Sequence, residues 1–274
     1  MTRMAAKLQS ASKSNKKEQV ASQNAEKVPD WKDTALQDIE YHRRQFEQPY
    51  RSTEALGRFV QSIITNVEGE GEALDVACGA GANILHLGRI LRNYRWSGID
   101  IAGEVLFPIS HPIFDEHSVS VNLVAGDFYK LTEIFEKKKF DLVFSVQTLL
   151  TLPSYEGALD QLLAVTRNWL FITGLFTDFN IDAKIKVMDY SWPVGTHGPY
   201  YYSVYGLERF RSYCEERGCL EFVSQDFEID IDLSPPEAMG FGTYTQTTAD
   251  GRRLQFTGPI FEPWKFIAIR MGNQ

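Results

Sequence analysis

Two hydrophobic periods alternate along most of the chain. Short apolar runs at 72–78, 95–101, 121–126, 140–146 and 168–176 read as strands. Between them, helical spacing predicts helices at 83–93, 102–108, 130–137 and 155–166. Strands and helices that alternate in this way imply right-handed crossovers and a parallel sheet covered on both faces. Ahead of this region, Pro29 to Asn66 looks helical, with Asp30 or Asp33 available as a cap and Leu56, Phe59, Val60, Ile63 and Ile64 at helical spacing. Pro49 interrupts it. Behind it come a helix at 207–217 and strands at 221–231 and 264–271. Residues 242–248 and 252–257 flank Ala249-Asp250-Gly251, a hairpin signal. From Thr177 to Gly206 runs a long aromatic connection, of a length and composition expected of a functional lid. The expected fold is therefore α/β and doubly wound, with a mostly parallel seven-stranded sheet. An N-terminal helical arm (29–66), a lid after strand 5 and a β-hairpin insertion before the last strand complete it.

Composition narrows the function. With 274 residues, 43% of them hydrophobic, the chain can bury one sizeable core, and 29–274 reads as one domain that includes the arm. Residues 1–28 carry six basic side chains against two acidic ones, and few large apolar ones, so they read as a disordered leader. The leader is +4, which leaves −12 on the rest. An acidic body argues against a nucleic-acid footprint and favours a small-molecule partner. Cys78, Cys214 and Cys219 have no regular metal spacing, and three sparse cysteines suit a reducing compartment. No run approaches ~18 apolar residues and the N-terminus has no apolar signal core, so neither a membrane nor secretion is indicated and the cytoplasm is expected.

The chemistry concentrates at the first strand. Ala73-Leu74-Asp75-Val76-Ala77-Cys78-Gly79-Ala80-Gly81 is an apolar run that breaks on small residues just before a helix. Such a break brings bare backbone and a positive helix end to a ligand, as in nucleotide-type cofactor sites. A nicotinamide-binding loop carries a third glycine, whereas Ile84 follows Gly79 and Gly81 here. Asp75 stands where a strand end can meet a cationic ligand group. Asp100, about 20 residues on at the end of the second strand, stands where a carboxylate accepts from ribose hydroxyls. Both suit S-adenosylmethionine (SAM).

These residues resemble the class I (Rossmann-like) SAM-dependent methyltransferase family. Its first motif, an acidic residue followed by G-x-G-x-G, is similar to Asp75 through Gly81, with Ala77 in place of the first glycine. The family's acidic ribose ligand matches Asp100, followed here by Ile101, and its acidic-aromatic pair beside adenine matches Asp127-Phe128. Phe140 to Gln147 resembles a fourth signature, whose strand exit, at Ser145 and Gln147, lies beneath the cofactor's methyl end. The resemblance also implies that Arg51 on the arm holds the methionyl carboxylate while Tyr50 or Phe46 lines the pocket. The plain alternative is a turn with Ser52 capping the next helix. Later segments, Leu175 to Asp178, Tyr202 to Tyr205 and Gly242 to Thr245 with Pro263-Trp264, resemble a bacterial subgroup associated with surface-polysaccharide or secondary-metabolite pathways. The implied activity is methyl transfer to oxygen or nitrogen of a small molecule such as a sugar or secondary metabolite. The alternative is a non-catalytic SAM-binding sensor or scaffold.

Methyl transfer needs alignment more than proton chemistry, so catalytic residues leave a weaker mark than cofactor residues. A hydroxyl acceptor benefits from a base, and His197, a near-neutral titrating group in the expected lid, is the best candidate, with an ordinary loop histidine as its alternative. Tyr201, Tyr202 and Tyr205 are candidate acceptor-wall residues, or else packing within the lid. His42 has a weaker claim, His86 falls on the helix after the cofactor loop, and His111 and His117 read as loop residues. No histidine set or acidic spacing suits a metal.

Overall fold

A computed structural model describes residues 39–64, 69–188, 200–235 and 242–272 of the chain. The arm is two helices, α1 (Ile39–Glu47) and α2 (Arg51–Ile63). They break at Pro49, whose ring holds the residue before it extended. Helix α2 buries Leu56, Phe59 and Val60 at one-turn spacing. Phe59 stacks on Phe266 at 5.5 Å and meets Phe171 edge-on at 6.3 Å, which fastens the arm to the sheet.

The sheet is built from β1 (Gly71–Val76), β2 (Tyr94–Asp100), β3 (Val121–Ala125), β4 (Phe140–Val146), β5 (Thr166–Thr177), β8 (Cys219–Asp226) and β12 (Trp264–Met271), in the order β3-β2-β1-β4-β5-β12-β8. The first five are parallel, and β12 runs antiparallel to both β5 and β8. Side chains alternate between two cores. Ala73, Leu142, Phe144 and Phe171 join the arm, α3 (Ala82–Gly88) and α4 (Gly103–Glu116). Leu74, Val143, Leu170 and Ile172 join α6 (Glu156–Val165), α7 (Leu207–Glu215) and the short α5 (Leu131–Ile134). A period of two with both faces buried is what covered parallel strands require.

Two features depart from the expected layout. The predicted helix at 102–108 continues to Glu116 through Pro108 and Pro112, and it places His111 on a helix rather than in a loop. Both prolines lie on the exposed side of the helix, while Leu106, Ser110 and Phe114 hold the opposite side in the core. The connection after β5 also contains two strands, β6 (Ala183–Val187) and β7 (Tyr200–Gly206), paired antiparallel, and β7 adds in parallel to the end of β5. The sheet thus has nine strands: the seven of the main path and these two. The run Tyr200 to Tyr205 is aromatic and β-branched, which favours a strand over a loop. The predicted hairpin forms from β9 (Thr243–Thr247) and β10 (Arg253–Thr257), with β11 (Ile260–Phe261) alongside.

Candidate functional site

From β1 the chain winds outward through β2 and β3, then returns to place β4 on the other side of β1. That reversal opens a crevice at the carboxyl ends of β1 and β4, the place where doubly wound sheets bind ligands. A cavity of about 1170 Å³ lies there, reached by the loop after β1, the ends of β2, β3 and β4, the arm and β7.

The loop after β1 is shaped by backbone. Ala77, Gly79 and Gly81 have φ of 58°, 57° and 88°. In this left-handed region a side chain such as that of Ala77 costs roughly 1–3 kcal/mol. Side chains hold the loop in place: Asp100 accepts from the Gly79 N–H with Oδ2 and from the Ala102 N–H with Oδ1, each at 2.8 Å. Ser110 Oγ donates to the Ala80 carbonyl at 2.5 Å. A Cβ on Gly79 would stand 3.3 Å from the His42 ring, whereas one on Gly81 would meet Phe114 at 3.2 Å. Gly79 therefore faces the cavity, and Gly81 faces the core.

Asp75 lies behind this loop. It is buried between β2 and β4, opposite Gly98 and Phe144, and neither carboxylate oxygen has a hydrogen-bond partner. Burial first, then the charge of Asp100, push its pKa up to about 8. The Asp100 carboxyl is also raised by burial, against the pull of its two backbone donors.

The structure brings Ala77, Gly79, Asp100, Ile101, Asp127 and Phe128 together on the cavity wall, and Tyr50, Gln147 and Tyr201 join them. Asp127 also accepts from the Tyr129 N–H at 2.9 Å, so it caps the turn that follows it. Gln147 has φ 57° and donates its N–H to the Thr173 carbonyl at 2.9 Å, which turns the exit of β4 toward the cavity.

Other predicted residues lie off the wall. Arg51 makes a two-pronged ion pair with Asp230, at 2.7 and 2.8 Å. Ser145 is fully buried within β4, one residue short of the lining. Tyr202 packs with Leu150, Leu175 and Val204. Tyr205 is buried in the core, where its hydroxyl donates to the Leu149 and Leu152 carbonyls at 3.0 and 2.8 Å. It positions the turn at 149–152 rather than facing a ligand. Phe46 is buried edge-on against Phe114. His197 lies outside the described residues, as does the expected leader.

Sequence reasoning passed over Tyr41, Gln45, Thr148 and Thr151, which line the cavity, and gave His42 too little weight. Tyr41, His42 and Gln45 share one side of α1, a polar stripe at helical spacing that was legible in principle. His86 is a link: its Nε2–H donates to the Gln45 carbonyl at 2.9 Å, which ties α3 to α1, and burial lowers its pKa.

Residues 73–168 match the family described as "Methyltransferase domain". No curated protein matches the sequence. Among solved structures, 1,6-didemethyltoxoflavin-N1-methyltransferase from Burkholderia thailandensis, which holds 1,6-didemethyltoxoflavin and S-adenosylhomocysteine, aligns with a TM-score of 0.52 at 10% identity, covering 88% of this chain and 87% of that one. The YcgJ protein from Bacillus subtilis aligns with a TM-score of 0.50 at 12% identity, covering 80% and 99%. The [4+2]-cyclase SpnF is 21% identical with a TM-score of 0.44 over 62% of this chain, and the chain spans only 58% of its length. No described helix is long and apolar enough to cross a membrane. The sheet order and the crevice give a doubly wound, Rossmann-like α/β fold, and within it residues 73–168 match a methyltransferase domain.

Proposed function

We propose that the protein transfers a methyl group from SAM to an oxygen or nitrogen of a small molecule. The observation that carries this reading is the cavity itself. At about 1170 Å³ it exceeds the ~300–1,000 Å³ usual for one small ligand, and it runs without a break from the glycine loop to a tyrosine wall. One continuous space of that size suits a cofactor and an acceptor side by side.

The residues fit SAM. Asp100 stands where two ribose hydroxyls would donate to its remaining lone pairs, and Ile101, Asp127 and Phe128 form the adenine end. The backbone at Ala77 and Gly79, with His42, Tyr50 and Gln147, takes the methionyl end. Asp75, a buried carboxyl without a hydrogen-bond partner just behind, would give up its proton more readily with a positively charged ligand group at this end. Gly81, Ser145 and Arg51 support the site through the fold rather than by contact. SAM supplies an electrophilic methyl group when bound, so this chain's task is to align the acceptor and exclude water. Tyr201, with Thr148 and Thr151, is suited to orient an acceptor by its ring and by hydroxyl hydrogen bonds.

His197 remains the proposed base for a hydroxyl acceptor. His197→Ala should lower turnover by roughly 10²-fold and leave cofactor affinity unchanged. The whole reading is tested by incubating the protein with methyl-labelled SAM and small-molecule extract, then weighing the labelled product. A labelled small molecule supports transfer, whereas SAM binding without any labelled product points to a sensor or scaffold.

A further inference from the structure

We infer that the acceptor carries no carboxylate or phosphate: it is uncharged or cationic, with a flat apolar body that lies against tyrosine rings. This rests on the methyl-transfer reading above and names the substrate class of the same cavity. Among the described residues, the ionisable groups on the wall are the Asp100 and Asp127 carboxylates, the imidazoles of His42 and His86, the Cys78 thiol and tyrosine phenols, with no Lys or Arg.

Three cations on elements that frame the cavity are held by carboxylates away from it. Arg51, next to two lining residues, is taken by Asp230 at 2.7 Å. Arg209, on the helix after β7, is taken by Asp182 at 2.6 Å and Glu156 at 3.3 Å. Lys265 on β12 is held by Asp226 and by Asp178 at 3.3 Å. Residues 65–68, 189–199 and 236–241 contain no Lys or Arg in their sequence, and the seven of residues 1–38 lie outside the described residues. Lys186 is exposed and stands across from Tyr201 in the β6–β7 register, at the rim and off the wall.

An anionic acceptor would thus leave water for a space whose described wall carries the Asp100 and Asp127 carboxylates and no Lys or Arg to replace its hydration. A neutral or cationic acceptor avoids that cost. Tyr41, Tyr50, Tyr200 and Tyr201 offer ring faces to an apolar body or a cation, while Gln147, Thr148 and Thr151 offer uncharged hydrogen-bonding groups.

The test separates a small-molecule extract by ion exchange into anionic, neutral and cationic pools and offers each pool to the full-length protein with methyl-labelled SAM. The expected result is at least ten-fold more labelled product from the neutral or cationic pool than from the anionic one. Label mainly in the anionic pool overturns the inference while leaving methyl transfer intact, and loss of that label in Lys186→Ala would name the rim lysine as the counter-charge. No label from any pool, with labelled SAM still retained by the protein, overturns the transfer reading and this inference with it.

Discussion

The two ends of the cavity are built by different means. At the β1–β3 end the surface is largely backbone, fixed by neighbours within about thirty residues in sequence: Asp100 holds Gly79 and Ala102, and Ser110 holds Ala80. At the far end the surface is side chains from elements distant in the chain: Tyr41 of α1, the turn at 149–152, and Tyr200 and Tyr201 of β7. That turn is pinned by Tyr205 and by Ser203, whose Oγ donates to the Leu152 carbonyl at 2.8 Å. A backbone-made surface suits what every substrate pair would share, the proposed cofactor. A surface of side chains can change with the acceptor while the frame beneath it stays.

The comparison breaks first at Asp75, where the expected effect is largest. The folded protein holds this carboxyl's proton up to about pH 8, whereas its ordinary pKa is 3.8. Between those values the fold binds more protons than the unfolded chain. Its contribution is full below pH 4, falls steadily as pH rises, and is gone above about pH 8. The change is on the order of 5 kcal/mol across that window. Thermal unfolding of the ligand-free protein at several pH values should show this decline, and Asp75→Asn should flatten it. Equal slopes in both proteins would mean that Asp75 is ionised in the fold.

Gly81 comes next. A side chain there would sit at φ 88° and press on Phe114 at 3.2 Å, so Gly81→Val should destabilise the whole fold by roughly 3 kcal/mol. Circular-dichroism melting checks this; an unchanged melting temperature with lost cofactor binding would put Gly81 on the cavity wall instead.

The same contrast decides what the sequence could reveal. The strands at 140–146 and 264–271 coincide with observed β4 and β12, because both faces of each are buried and the apolar run has no reason to fray. That Asp100, Gly79 and Phe128 share one wall of the cavity was legible because this end is local: a strand, a turn, and a residue one crossover away. The pairing of Arg51 with Asp230 was not legible, because the two lie 179 residues apart and no local pattern records it. Tyr202 and Tyr205 were grouped with Tyr201 as one aromatic wall, but strand geometry and the local core divide them, sending Tyr205 inward. His111 was read as a loop residue because proline ordinarily ends a helix, whereas both prolines here lie on the exposed side of one that continues.

Smaller effects sharpen the acceptor end. Tyr201→Ala should raise KM for the acceptor about ten-fold, or ~1.4 kcal/mol, with the cofactor Kd unchanged. Steady-state kinetics with the identified acceptor checks this, and a matching loss of SAM affinity would move Tyr201 to the cofactor end. Arg51→Ala should cost less than about 1 kcal/mol in cofactor affinity, since it removes an exposed ion pair with Asp230. A loss of ten-fold or more would mean that Arg51 leaves Asp230 to hold the cofactor.

The crevice beside β1, with Asp100 at its rim, is the proposed SAM site. Isothermal titration of S-adenosylhomocysteine into wild-type protein and Asp100→Ala tests it most directly. Micromolar binding by the wild type, weakened by about 1.5–3 kcal/mol in the variant through the loss of charge-assisted bonds to the ribose, is the predicted result. Equal affinity in a variant that melts like the wild type would contradict the claim and place the cofactor elsewhere.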